Sequence, residues 1–307
     1  MKRDEERVRN RWVVGLDLQP DSVGPLRFAQ WIRSQLGNSG GPRMIGVHVL
    51  EGFYLYSMMR HHDVDKLVRL AAEAVEDDVE KAGAEEAFDA IHVLPGSGAD
   101  HALEEFCNHR GASALVVGRH AERSDRAEHR LGRVTRRAIR GLSRPTIVVP
   151  PAFEADAAGE GPIVVATDLD DVGVNAARFA RRLADSIGRE LRLLHVVPTP
   201  ERYGARYAPR ESLEELRQAN EAGGRDALER WCEEHVLADE LRSVRAGSVV
   251  GSILRVAREW DAAMLVLGSR HLSLLERVVI SSVGTEVAAT APCPVALVPT
   301  GVAGKGR

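Results

Sequence analysis

The 307-residue chain has no uninterrupted apolar run of the roughly 18 residues that a membrane-spanning helix requires, so no membrane partner is expected. Cysteine is scarce. Cys107, Cys232 and Cys293 are the only three, odd in number and without short spacing. That pattern argues against a disulfide scaffold and fits a reducing cytoplasm. Neither sign of charge is in large excess: 41 Lys and Arg stand against 45 Asp and Glu, a formal net charge of -4. Bulk charge therefore does not make the chain a binder of polyanions. The opening residues Met1-Lys2-Arg3-Asp4-Glu5-Glu6-Arg7 are charged and no apolar stretch follows, so no secretory signal is expected. No Ser-His-Asp set, paired carboxylate site or HExxH run can be placed, and Ser269, Ser281 and Ser282 lack an identifiable base. Cys107 and His109 lie two apart on one helix and face different directions, so they do not make a metal pair. The chain reads as a non-enzyme without a metal centre.

What the chain does have is an internal repeat. Val13-Val14-Gly15-Leu16-Asp17-Leu18 returns as Val164-Val165-Ala166-Thr167-Asp168-Leu169. Val47-His48-Val49-Leu50 returns as Leu194-His195-Val196-Val197, and Gly96-Ser97 returns as Gly247-Ser248. Leu115-Val116-Val117-Gly118 matches Leu265-Val266-Leu267-Gly268, and Pro145 to Pro150 matches Pro294 to Pro299. Five matches in one order, each offset by about 150 residues, divide the chain into two domains of ordinary size. Residues 1–150 form the first, 162–307 the second, and the small, acidic segment 151–161 reads as a flexible linker.

Each copy alternates apolar strand runs with amphipathic helices. In the second copy, strands fall at 162–167, 191–197, 240–246, 263–267 and 294–298. Helices fall at 173–188, 211–236, 250–259 and 281–290. Gly188 stops the first helix, and Gly223-Gly224 marks a break inside the second. The first copy places strands near 12–16, 43–50, 88–94, 114–118 and 145–149. The fold class is α/β: two doubly wound, Rossmann-like domains, each a five-stranded parallel sheet flanked by helices. Ligands of such sheets bind beyond the carboxyl ends of the strands, at the point where strand order reverses. That directs attention to Asp17 and Asp168, to Val49 and Val196, and to the loops after Gly118 and Gly268.

The order of these features, an Asp after the first strand, His-Val at the second and a glycine loop after the fourth, resembles the universal stress protein family. Val266-Leu267-Gly268-Ser269-Arg270, Ser281-Ser282-Val283 and Ala291-Pro292-Cys293-Pro294-Val295 carry the resemblance, which covers nearly the whole chain. It implies an adenine nucleotide alpha hydrolase-like fold and a stress-response role. In ATP-binding members the fourth strand is followed by Gly-x2-Gly-x9-Gly-Ser/Thr, where glycine lets backbone N–H groups approach phosphate and the helix N-terminus adds its dipole. The first-strand Asp and the backbone of the second strand end would hold ribose and adenine.

The second copy keeps the spacing from Gly268 to Ser281, with Ser282 in the hydroxyl position, but His271 and Ser281 stand where the other glycines belong. The first copy has Ala121 for the second glycine, Gly132 one residue late and Arg133 in the hydroxyl position. The resemblance therefore assigns a ligand site to Asp168, Val196, Gly268, Ser269, Arg270, Ser281 and Ser282, with ATP as ligand and Mg2+ only in its company. Three functions stay open at this point: a regulator that senses adenine nucleotide and signals to a protein partner, a scaffold acting through its surface, and a weak ATPase. The resemblance also implies that strands 145–149 and 294–298 pair across an internal pseudo-two-fold axis, making a built-in dimer that can dimerise again.

Two other features have plain readings. Segment 119–144 holds nine arginines against Glu122, Asp125 and Glu128. No aromatic residue interleaves for base stacking, so a helix face partly paired with acids from elsewhere is favoured over nucleic-acid binding. His48 and His195 lie inside apolar strands and read as satisfied core residues.

Overall fold

The strands of this protein are short apolar runs, and their burial explains their arrangement. The computed structural model describes residues 10–19, 22–36, 41–52, 63–119, 131–155, 158, 160–199, 210–235, 237, 240–269 and 282–300. Two units divide the chain, Met1–Ala158 and Gly159–Arg307.

Unit 1 runs β1 (Arg11–Leu16), α1 (Gly24–Leu36), β2 (Arg43–Glu51), α2 (Val64–Lys81), β3 (Ala90–Gly96), α3 (Ala99–Arg110), β4 (Ala114–Gly118), α4 (Arg133–Arg140) and β5 (Thr146–Val149). Its strands lie in the order β3-β2-β1-β4-β5. Every pairing is parallel. Val13, Val14, Leu115, Val116, Ile147 and Val148 are consecutive along their strands and all buried, which requires cover on both faces of the sheet. The edge strand β3 is only half-buried.

Unit 2 repeats the plan: β6 (Ile163–Thr167), α5 (Asp171–Ile187), β7 (Leu191–Pro198), α6 (Arg210–Glu234), β8 (Leu241–Gly247), α7 (Val249–Glu259), β9 (Met264–Ser269), α8 (Ser282–Thr290) and β10 (Val295–Pro299). Its order is β8-β7-β6-β9-β10, again parallel throughout. In both units the first strand sits at the centre. The chain leaves it toward the second and third strands on one side and returns to the fourth and fifth on the other, which is the doubly wound arrangement the periodicity predicts.

The local signals act where the sequence puts them. Asp63 caps α2 by accepting the Lys66 N–H at 2.6 Å, and Asp170 caps α5 by accepting that of Gly173 at 2.9 Å. Gly111 and Gly188 end α3 and α5 in the left-handed region, φ 60° and 65°.

Two expectations need correction. Gly223-Gly224 does not break α6, which continues from Arg210 to Glu234. Gly224 lies where the helix comes down onto the sheet, and a Cβ there would sit 2.7 Å from Val197 Cγ2 and 2.8 Å from Val244 Cγ1. The linker is also not flexible throughout. Phe153 is buried, its ring 5.8 Å from Phe28 and 5.9 Å from Trp31, and Glu154 pairs with Arg27.

Candidate functional site

In unit 2 the turn from β6 into α5 is built from short polar side chains. Thr167 is buried, and its Oγ1 accepts the Leu169 N–H at 3.0 Å. Leu169 then adopts φ 68°, a left-handed conformation that costs a branched residue about 1–2 kcal/mol. Asp170 closes the turn by capping α5. Asp168, at the head of this turn, is exposed at the carboxyl edge of the sheet.

Strand β9 delivers Gly268 and Ser269 to the same edge. Ala166 of β6 is in register with Leu267 of β9, so the two strands run out toward the same edge of the sheet, β6 at Thr167 and β9 at Ser269. Gly268 is held close to the first turn of α5: a Cβ would come within 2.8 Å of Val172 Cγ1 and 3.0 Å of the Val172 carbonyl carbon. This glycine is therefore required by packing, whatever it offers a phosphate. Val196 is buried near the end of β7, in register with Arg245 of β8. Ser282 is the first residue of α8. Arg270 and Ser281, like His271 and Arg277, lie outside the described residues. In the first turn of α8 the Thr285 hydroxyl is buried without a hydrogen-bond partner.

His195 is half-buried on β7, and its Nδ1 donates to the Thr167 carbonyl at 2.9 Å. His48 in unit 1 donates to the Leu16 carbonyl at the same 2.9 Å. In each case the bond places the proton on Nδ1 and ties the second strand to the last carbonyl of the first. Both histidines are satisfied structural residues at the edge of the site.

Unit 1 places the same elements differently. Asp17 is exposed and receives the Ser22 hydroxyl at 3.5 Å. The start of α4 is pinned to β4, because Thr135 Oγ1 donates to the Gly118 carbonyl at 2.6 Å and the Gly132 N–H reaches that of Arg119 at 3.3 Å. Arg133 does not face an open edge. Its Nη2 lies 2.5 and 2.6 Å from the two carboxylate oxygens of Glu51, the last residue of β2. The Ala99 N–H at the start of α3 donates to the same carboxylate at 3.1 Å. Below them Arg137 pairs with Asp100 at 3.0 Å, and the buried Arg144 pairs with Glu104 at 3.2 Å. The described part of segment 119–144 is thus a helix face paired with acids of β2 and α3. Residues 120–130 lie outside the description.

Sequence reasoning missed Glu51, Thr167 and the strained Leu169. The signal for Glu51 was present: the two copies part company after His-Val, where one continues to Glu51 and the other to Pro198.

Among the described residues no helix is long and apolar enough to cross a membrane, and no group of three or more His, Cys, Asp or Glu is placed to hold a metal ion. Comparison with known proteins agrees with the repeat. The profile of the universal stress protein family matches twice, over residues 9–150 and 161–299. Universal stress protein YxiE of Bacillus subtilis is 30% identical over 145 residues, 44% of this chain and 97% of that protein. Among solved structures, a putative universal stress protein from Pseudomonas aeruginosa UCBPP-PA14 superposes with a TM-score of 0.65 at 16% identity, covering 96% of this chain and 95% of the other. A universal stress protein from Archaeoglobus fulgidus DSM 4304 gives 0.61 at 16% identity, covering 95% and 99%. Those two likenesses show the fold, and the two family matches settle the kinship: the chain is a tandem, two-domain member of the universal stress protein family.

Proposed function

We propose that this protein is a stress-response regulator that senses an adenine nucleotide through unit 2 and passes that state to a protein partner. Family membership supports the stress-response role. The observation that carries the nucleotide reading is that the neighbouring strands β6 and β9, followed by Asp168 and ended by Ser269, reach one edge of the sheet at the point where strand order reverses. The donor set fits such a ligand. A carboxylate at Asp168 accepts ribose hydroxyls, the main chain of Val196 offers an N–H and a carbonyl to a base, and the start of α8 offers N–H groups and the Ser282 position to phosphate. ATP would come with Mg2+ coordinated mainly by its phosphates. The protein's part is to bind, orient and report.

A second reading has its own support. Gly268 is already required by its close approach to Val172, so its presence does not by itself mark a phosphate loop. On that reading the chain is a scaffold acting through its surface. The nucleotide content of the purified protein separates the two. Excess absorbance at 260 nm, resolved by chromatography into an adenine nucleotide, is expected for a sensor. Protein that is free of nucleotide and stays so after incubation with ATP would leave the scaffold.

A further inference from the structure

The two units differ at one corner in a way that their sheet registers make comparable. Glu51 ends β2 in register with Gly96, and Pro198 ends β7 in register with Gly247, so Glu51 and Pro198 occupy the same place. Arg133 opens α4 and Ser282 opens α8, so these two also correspond. At these two positions unit 1 has a carboxylate and a guanidinium, and unit 2 has a proline and a serine. The helix that starts beside this corner differs in step. In unit 1 the Ala99 N–H is satisfied by Glu51, whereas in unit 2 Ser248 caps α7 itself, accepting the Gly251 N–H at 3.4 Å. α7 also carries no carboxylate before Glu259, so the Asp100 and Glu104 pairs of unit 1 have no acidic counterpart there.

We infer that Glu51 is a built-in anion: its carboxylate occupies an anion-binding corner formed by Arg133 and the first turn of α3, and so closes the carboxyl edge of unit 1 to phosphate groups. A guanidinium and a helix N-terminal N–H converging on one acidic group is the donor arrangement that recognises phosphate. Here both donors already hold a carboxylate, one at 2.5 and 2.6 Å and the other at 3.1 Å. The corner is braced from below. Arg137 to Asp100 and Arg144 to Glu104 fix α4 and the segment after it against α3, so the helix start that carries Arg133 is held in place independently of Glu51. The Glu51 side chain is 23% exposed and that of Arg133 49%, so an anion from solvent can reach the corner once the carboxylate charge is gone. The contact is an autoinhibitory one, and in unit 2 its two partners are replaced by Pro198 and Ser282.

The test uses the full chain and inorganic pyrophosphate. Glu51→Gln keeps an oxygen for the Ala99 N–H and removes the charge, and Glu51→Ser is the smaller alternative should the first fold poorly by circular dichroism. Calorimetric titration is expected to count one more equivalent of pyrophosphate in either variant than in the unaltered chain. The added equivalent should weaken by about tenfold or more between low and moderate salt, as a charge-dominated site does. It should vanish when Arg133→Gln is added. Because the count is a difference from the unaltered chain, an outcome in which unit 2 binds nothing leaves it readable. Unchanged stoichiometry in both folded Glu51 variants would overturn the inference, as would an added equivalent that survives Arg133→Gln.

Discussion

Gly268 shows how one residue can serve packing and invite a functional reading at once. The first turn of α5 lies so close that any side chain at 268 must push Val172 away. Gly268→Ala should lower stability by about 1–3 kcal/mol, read from urea denaturation. Its counterpart Gly118 has only ordinary contact, with Pro25 Cγ at 3.4 Å from a built Cβ, so Gly118→Ala should cost under about 1 kcal/mol. Equal costs would show that the Val172 contact is not what selects glycine. The cysteines give a second test at this scale. Cys107 is fully buried, and desolvation pushes its thiol up to about 12, against a smaller lowering by Arg144. Burial likewise raises Cys232. Since the thiolate is the reactive form, neither should react with a thiol reagent at mildly alkaline pH until the chain unfolds. Rapid labelling of either in the folded protein would contradict the packing described.

In α6 the two adjacent glycines separate local propensity from tertiary fit. A Cβ on Gly223 meets nothing within 4 Å, whereas one on Gly224 runs into Val197 and Val244. Gly223→Ala should therefore stabilise by about 0.5–1 kcal/mol through helix propensity. Gly224→Ala should destabilise by about 1–3 kcal/mol, because overpacking outweighs that gain. Thermal unfolding of the two variants reads the signs directly, and a stabilising Gly224→Ala would mean that the helix does not approach the sheet there. The pair also explains why the sequence misled. Two glycines in a helical window argue for a break when judged locally, and nothing local reveals that one of them faces a strand. The Gly188 stop was legible for the opposite reason: it acts within one turn of its own position.

The tandem architecture was readable from the sequence because parallel strands buried on both faces appear as continuous apolar runs, and those runs recur in the same order in both halves. The site was readable only in part. Asp168, Gly268 and Ser269 could be placed at the carboxyl edge of the sheet because each follows a predicted strand. The Glu51 to Arg133 contact could not, since it joins residues 82 positions apart through side chains that no periodicity marks. Each half builds its own buried core, so fragments 1–158 and 159–307 should each unfold cooperatively in denaturant. A fragment without a transition would show that its sheet depends on the rest of the chain. The central claim is that the two halves have diverged, with unit 2 as the nucleotide site and unit 1 closed. Titration calorimetry of the intact chain with ATP tests it most directly. One equivalent per chain is expected, weakened by about 1–3 kcal/mol in Asp168→Ala and unchanged in Asp17→Ala. Two equivalents per chain, or binding abolished by Asp17→Ala alone, would contradict the account.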